Sequence, residues 1–223
     1  MGTIALAGGG EFAAPFEAFD RDLLAASGAA EVLVLPTGAA YEHPDRAIEN
    51  ARIWFAALGA TASGCRVLTR GDALVAANAD TVRASRFVYL TGDSAMHLRS
   101  VLKRTPVWDA LVEVVASGGV VAGSSAGGAV LCDPLTDPRG GAFTLGLGLV
   151  EPMAMVAHAE EWPHERLHRT LMLADPGLPL VCLDTGAAVV RTDAGGWRAY
   201  GKVTVYVDGK VVDDLAALPL TPR

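Results

Sequence analysis

Cysteine is scarce in this chain, and its placement rules out the chemistry that cysteine most often signals. Cys65, Cys132 and Cys182 lie far apart in apolar surroundings, without metal-ligand spacing, within 223 residues. That excludes a disulfide framework and leaves buried, reduced thiols. Cys132 sits between Leu131 and Asp133 with no activating base, so it is a poor nucleophile candidate. No apolar run reaches the roughly 18 residues of a membrane span, and no membrane partner is expected. Positive charge is also short. The 18 Lys and Arg against 25 Asp and Glu leave a net charge of −7, which disfavours nucleic acid and anionic lipid as partners. The first residues, Met1 to Ala7, carry no basic leader, and Leu6 stands where a myristoylation signal needs Ser or Thr. They read as a strand, and a cytoplasmic protein is expected.

What remains is an apolar chain, 51% hydrophobic, whose length suits one α/β domain over residues 1–223. Strand patterns occur at Thr3 to Ala7, Glu31 to Leu35, Arg66 to Thr69, Arg86 to Leu90 and Gly119 to Ala122. Helical patterns alternate with them at Phe12 to Ser27, Asp45 to Leu58, Asp72 to Ala79, Ala95 to Lys103 and Val107 to Ala116. Continuous apolar strands between helices predict a mostly parallel sheet covered on both faces. Beyond Asp133 the rhythm changes to a loop as far as Gly148, a strand at Met153 to Ala157 and a helix at Pro163 to Ala174. Short strands follow from Leu180, with a hairpin turn at Asp208-Gly209. The expected fold is α/β, a flavodoxin-like three-layer sandwich with an antiparallel C-terminal extension. The C-terminal strands could also pair across a homodimer.

The segment Val120-Val121-Ala122-Gly123-Ser124-Ser125-Ala126-Gly127 runs a buried strand into Gly-x-Ser-x-Gly and a small-residue helix start. This is the pattern of a nucleophile elbow, in which a serine is held at the tip of a sharp strand-to-helix turn. It makes Ser125 the leading nucleophile candidate. Serine needs a base. Ligands of open α/β sheets sit at the carboxyl ends of the strands, and His158 ends one. His43 and His97 lie near helix starts. His164 and His168, four apart, lack an evident third ligand and read as solvated helix residues, so no metal is expected.

The chain resembles a known family at several points in order: Tyr89-Leu-Thr-Gly92 with Met96-His97-Leu98, Ala122-Gly-Ser-Ser-Ala-Gly127, Gly146-Leu-Gly-Leu149, and His158 followed by Arg166 and Arg169. It is similar to the cyanophycinase/dipeptidase E family of serine peptidases, from Gly8-Gly-Gly-Glu11 through about Thr192. The resemblance implies the class I glutamine amidotransferase fold and exopeptidase chemistry on small, aspartyl-type peptides. It implies Ser125 as nucleophile, His158 as general base, and an oxyanion hole from Ala126 and the Gly92-Asp93 turn. No cofactor is implied. Arg166 and Arg169, three apart on one helix, are candidates to bind a substrate carboxylate, with Arg99 behind them.

The chain departs from the family pattern at Asp93, where a second glycine is common, and at Ala157, where proline usually precedes the base. It also reads Asp184-Thr185-Gly186 where members often carry Asp-Glu, the Glu orienting the histidine. Asp137, Asp184 and Asp133 are the substitute acids, in that order. Three rival readings stand beside this one. A dinucleotide site at Gly8-x-Gly10 lacks the acid after strand two. An α/β-hydrolase esterase would need a histidine near the C-terminus, and none follows His168. A catalytically silent amidotransferase-like binding module is the main alternative to the peptidase.

Overall fold

The computed structural model describes residues 2–219. Its strands are β1 (Thr3–Ala7), β2 (Glu31–Leu35), β3 (Thr61–Gly64), β4 (Phe87–Leu90), β5 (Val120–Ser124), β6 (Leu135–Thr136), β7 (Phe143–Thr144), β8 (Ala154–Ala157), β9 (Leu180–Leu183), β10 (Ala188–Arg191), β11 (Trp197–Tyr200), β12 (Val203–Val207) and β13 (Lys210–Val212). The helices are α1 (Glu17–Ser27), α2 (Pro44–Ala57), α3 (Arg70–Ala73), α4 (Ala76–Arg83), α5 (Ala95–Leu102), α6 (Pro106–Ala116), α7 (Ala126–Ala129) and α8 (His164–Leu173). Among the described residues no helix is long and apolar enough to cross a membrane.

The central sheet runs β11-β10-β1-β5-β4-β2-β3. Pairs from β1 to β3 are parallel, while β10 and β11 add antiparallel strands at one edge. Side chains alternate along each buried strand, so each strand feeds two cores. Ile4, Leu6, Leu33, Leu35, Val88, Leu90 and Val121 pack with α4 to α7. Ala5, Ala7, Val32, Val34, Phe87, Tyr89 and Ala122 pack with Phe19, Leu23, Ile48 and Phe55 of α1 and α2. The fold is therefore the expected mostly parallel α/β sandwich.

The C-terminal strands divide between two sheets. Besides β10 and β11, a second sheet runs β13-β12-β9-β8, with β8 and β9 parallel and the others antiparallel. The strand expected at Arg66 to Thr69 is displaced: β3 lies at Thr61–Gly64, beside β2. Thr69 and Asp72 form a capping box that starts α3, so the backbone there is satisfied by side chains. An edge strand needs little apolar character, so Thr61-Ala-Ser-Gly carries no strand signal in the sequence.

All three cysteines are buried and unpaired. Burial pushes the Cys132 thiol far up and the Cys182 thiol up to about 12, so neither offers a thiolate. Asp20 of α1 is fully buried and accepts a hydrogen bond from Trp54 Nε1 at 2.7 Å. Its carboxyl is pushed up to about 7, chiefly by burial and further by Glu11, against the lowering effect of Trp54.

Candidate active site

Strand β1 points its carboxyl end into the space where β5, β8 and β9 also end, and three successive carbonyls there hold the candidate residues. Ala7 O accepts the Ser125 N–H at 2.9 Å, Gly8 O accepts the His158 N–H at 2.9 Å, and Gly9 O accepts the Gly186 N–H at 3.0 Å. Ser125 has φ 52° and ψ −120°, and His158 has φ 48° and ψ 48°. Among the described residues only five non-glycines have positive φ, and these are two of them. Such conformations cost of order 1–3 kcal/mol each, and they persist only where the surroundings enforce them. At the turn from β5 into α7 the enforcement is close packing. A Cβ on Gly123 would strike the Gly127 carbonyl, and one on Gly127 would strike that of Leu90.

The imidazole of His158 lies directly over Gly9. A side-chain carbon at residue 9 would overlap ring atoms Cε1 and Nε2, and Gly9 itself has φ 121°. Gly9→Ala is therefore expected to displace the ring and lower peptidase kcat by about 100-fold or more, because small misplacements near reacting atoms are that costly. Steady-state kinetics of the folded variant checks this; unchanged turnover contradicts it.

Ser125 and His158 line one cavity of about 450 Å³ with Ala126, Met155, Trp162 and Arg166. A second, more polar cavity of about 330 Å³ holds Glu11, His43, Arg46 and Asn50, and shares Asp93 and His158 with the first. Among the described residues the backbone N–H groups of Ala126 and Asp93 donate no hydrogen bond. The Gly92-Asp93 turn is stitched to the turn at Gly38, which donates to Thr91 O at 3.0 Å and accepts from Ser94 N at 3.2 Å. The Asp93 residue is exposed.

The candidate acids stand elsewhere. Asp137 is bonded by its own neighbour Arg139, with Nε at 3.0 Å and Nη2 at 2.8 Å, and these bonds hold its carboxyl below the usual range. Asp184 is paired with Lys202 Nζ at 2.8 Å, and Asp133 accepts the Gly146 N–H at 2.7 Å. His158 Nδ1 meets the Thr185 hydroxyl instead, at 2.9 Å. The parallel register of β8 and β9, ending at Ala157 opposite Leu183, brings these two turns side by side.

Glu160, which sequence reasoning passed over, accepts the Thr185 N–H through both carboxylate oxygens at 3.1 and 3.0 Å. Donor atoms of His158, Glu160 and Glu161 lie within 4.8 Å of one another. The two acids are exposed, and a cation there would occupy the histidine.

Arg166 reaches the cavity with its guanidinium 5.2 Å from the Trp162 ring centroid, a cation–π contact. Arg169 donates to Gly140 O at 3.1 Å and does not line the cavity. Arg99 Nε is buried with no hydrogen-bond partner among the described residues. The rings of His164 and His168 stack at 6.2 Å on an exposed face of α8.

No curated protein matches this chain. Among solved structures, a peptidase from an acI-B1 Actinobacterium shares the fold with a TM-score of 0.82 and 26% identity, covering 93% of this chain and 90% of that one. A putative peptidase E protein from Listeria monocytogenes EGD-e has a TM-score of 0.65 at 15% identity, covering 93% and 98%. The model of peptidase family S51 matches residues 4–196, a span that contains Ser125, His158 and Thr185 alike. The chain thus belongs to peptidase family S51, the dipeptidase E and cyanophycinase family, and is a serine peptidase.

Proposed function

We propose that this chain is an exopeptidase, a dipeptidase in the main, that cleaves small aspartyl-type peptides through a Ser125 acyl-enzyme. The observation that carries this reading is the pairing of two strained residues, Ser125 and His158, on the adjacent carbonyls of Ala7, which ends β1, and Gly8, just beyond it, at the wall of one cavity. In the first step Ser125 Oγ attacks the scissile carbonyl while His158 Nε2 takes its proton. The carbonyl oxygen, now anionic, is received by the free N–H groups of Ala126 and Asp93. Collapse of the tetrahedral species expels the amine, which takes the proton back from His158. Water then repeats the sequence on the acyl-enzyme.

A cavity of about 450 Å³ suits a short peptide and not a folded protein segment. Its walls carry charge of both signs. Arg166 suits a substrate carboxylate, and Asp93 and Glu161 suit an amino terminus. Arg169 contributes at one remove, by tying down the Gly140 loop that borders the site.

Treatment with a fluorophosphonate, followed by peptide mapping, is the direct test. A single adduct on Ser125 is expected; no adduct favours the silent binding module, and an adduct on another serine refutes the assignment.

A further inference from the structure

We infer that Glu160 is the acid of this site and acts on His158 through Thr185, whose backbone it holds and whose hydroxyl meets the imidazole, a relay of three residues in place of a direct carboxylate–imidazole hydrogen bond. This rests on the Ser125–His158 mechanism proposed above. As a base, His158 must offer a bare Nε2, so its proton sits on Nδ1 and is donated to Thr185 Oγ1 at 2.9 Å. A hydroxyl has one proton to give and two lone pairs to receive. The Glu160 carboxylate grips the Thr185 N–H with both oxygens, and so holds the residue whose hydroxyl meets Nδ1. One of its oxygens also lies within 4.8 Å of a His158 ring nitrogen. Glu160 thus fixes the partner that orients the ring and brings a negative charge beside it.

Desolvation pushes the Glu160 carboxyl up, but the Thr185 hydrogen bonds and the His158 charge outweigh it and hold it below the usual range. It stays anionic at neutral pH and faces the imidazolium that forms during attack. The other charges around the ring have different engagements. Asp184 is tied to Lys202, which also acts on Glu160. Glu161, Asp93 and Arg166 face the cavity, and Glu11 accepts from Ser124 Oγ at 2.7 Å. Thr185 and Glu160 are both exposed, so water screens the relay and its effect is smaller than that of a buried triad acid. No proton travels along it. The Ser125 proton goes to Nε2, and Nδ1 keeps its own.

The test uses the second-order rate of fluorophosphonate inactivation from pH 5 to 9. In that step Ser125 Oγ bonds phosphorus, fluoride leaves, and the serine proton passes to His158. Thr185→Val and Glu160→Gln are each expected to slow inactivation by about 10- to 50-fold, less than the roughly 10²- to 10⁴-fold that the proton-transferring group itself supplies, because neither residue touches the serine. The double variant should be no slower than the slower single one. Thr185→Ser should match the wild type. Glu160→Gln should also move the acidic limb of the profile to lower pH by about half a unit, because an anion near the imidazole is gone. Thr185→Glu combined with Glu160→Gln should recover rate by placing a carboxylate directly on Nδ1. Wild-type rate and limb in Glu160→Gln, or losses that multiply in the double variant, overturn the relay alone. A wild type that never reacts overturns the Ser125–His158 mechanism itself. Both residues are on the surface, so melting curves can confirm that the variants fold.

Discussion

Ser125→Ala and His158→Gln should each lower kcat on an aspartyl dipeptide by about 10,000-fold or more, and the double variant should be no worse than either. In the proposed mechanism the two side chains act in one proton transfer, so losing either removes the whole step. Glutamine keeps most of the bulk of histidine over Gly9 and can still bond Thr185, but it cannot take a proton at neutral pH. What survives is the contribution of the Ala126 and Asp93 N–H groups, which need neither residue. KM should change little, because neither group is the main anchor for the substrate. The measurement is steady-state kinetics of the three variants on one batch of substrate. Losses that multiply across the pair would mean that the two residues serve separate steps.

The second large effect concerns stability. Asp20 has its carboxyl at about 7 in the folded protein against an ordinary value of 3.8. The folded state therefore holds an extra proton between those limits, and stability must fall as pH rises through them. About three units correspond to about 4 kcal/mol. The stability is fully present below about pH 4 and its loss is complete a little above pH 7. Asp20→Asn retains an oxygen for the Trp54 Nε1–H and never has to ionise. The stability of the variant relative to the wild type should therefore grow by about 4 kcal/mol from pH 4 to pH 8. For a chain of this size that is a relative shift in melting temperature of about 10 °C. Denaturant titrations at the two pH values check it, and a difference independent of pH would contradict it.

The sheet was legible in the sequence because β1, β2, β4 and β5 are unbroken apolar runs, and only strands buried on both faces need such runs. The two-sheet division of the tail was not. β9 and β10 are equally buried, and their sheet is chosen by partners distant in sequence, β8 and β12 for one and β1 for the other. The turn from β5 into α7 shows in the sequence because its constraints are local: glycines at 123 and 127 are needed by atoms within a few residues or on the next strand. Thr185 was visible only as a missing acid. Glu160 was invisible because its partner comes from a turn 25 residues away, aligned by the register of β8 on β9. The one sequence signal was an acidic residue two positions after the candidate base.

Residues 125, 158 and 186 are far apart in the chain, yet each is indexed to one of three consecutive peptide units, Ala7 at the end of β1 and Gly8 and Gly9 just beyond it. The end of β1 serves as a ruler for the chemistry. Loops between the indexed points, such as the stretch from Asp137 to Gly148, can change length or sequence without disturbing the spacing. A slip of β1 by one residue would instead misplace all three marks at once. Substrate preference in such an architecture is free to drift while the reaction itself stays in register.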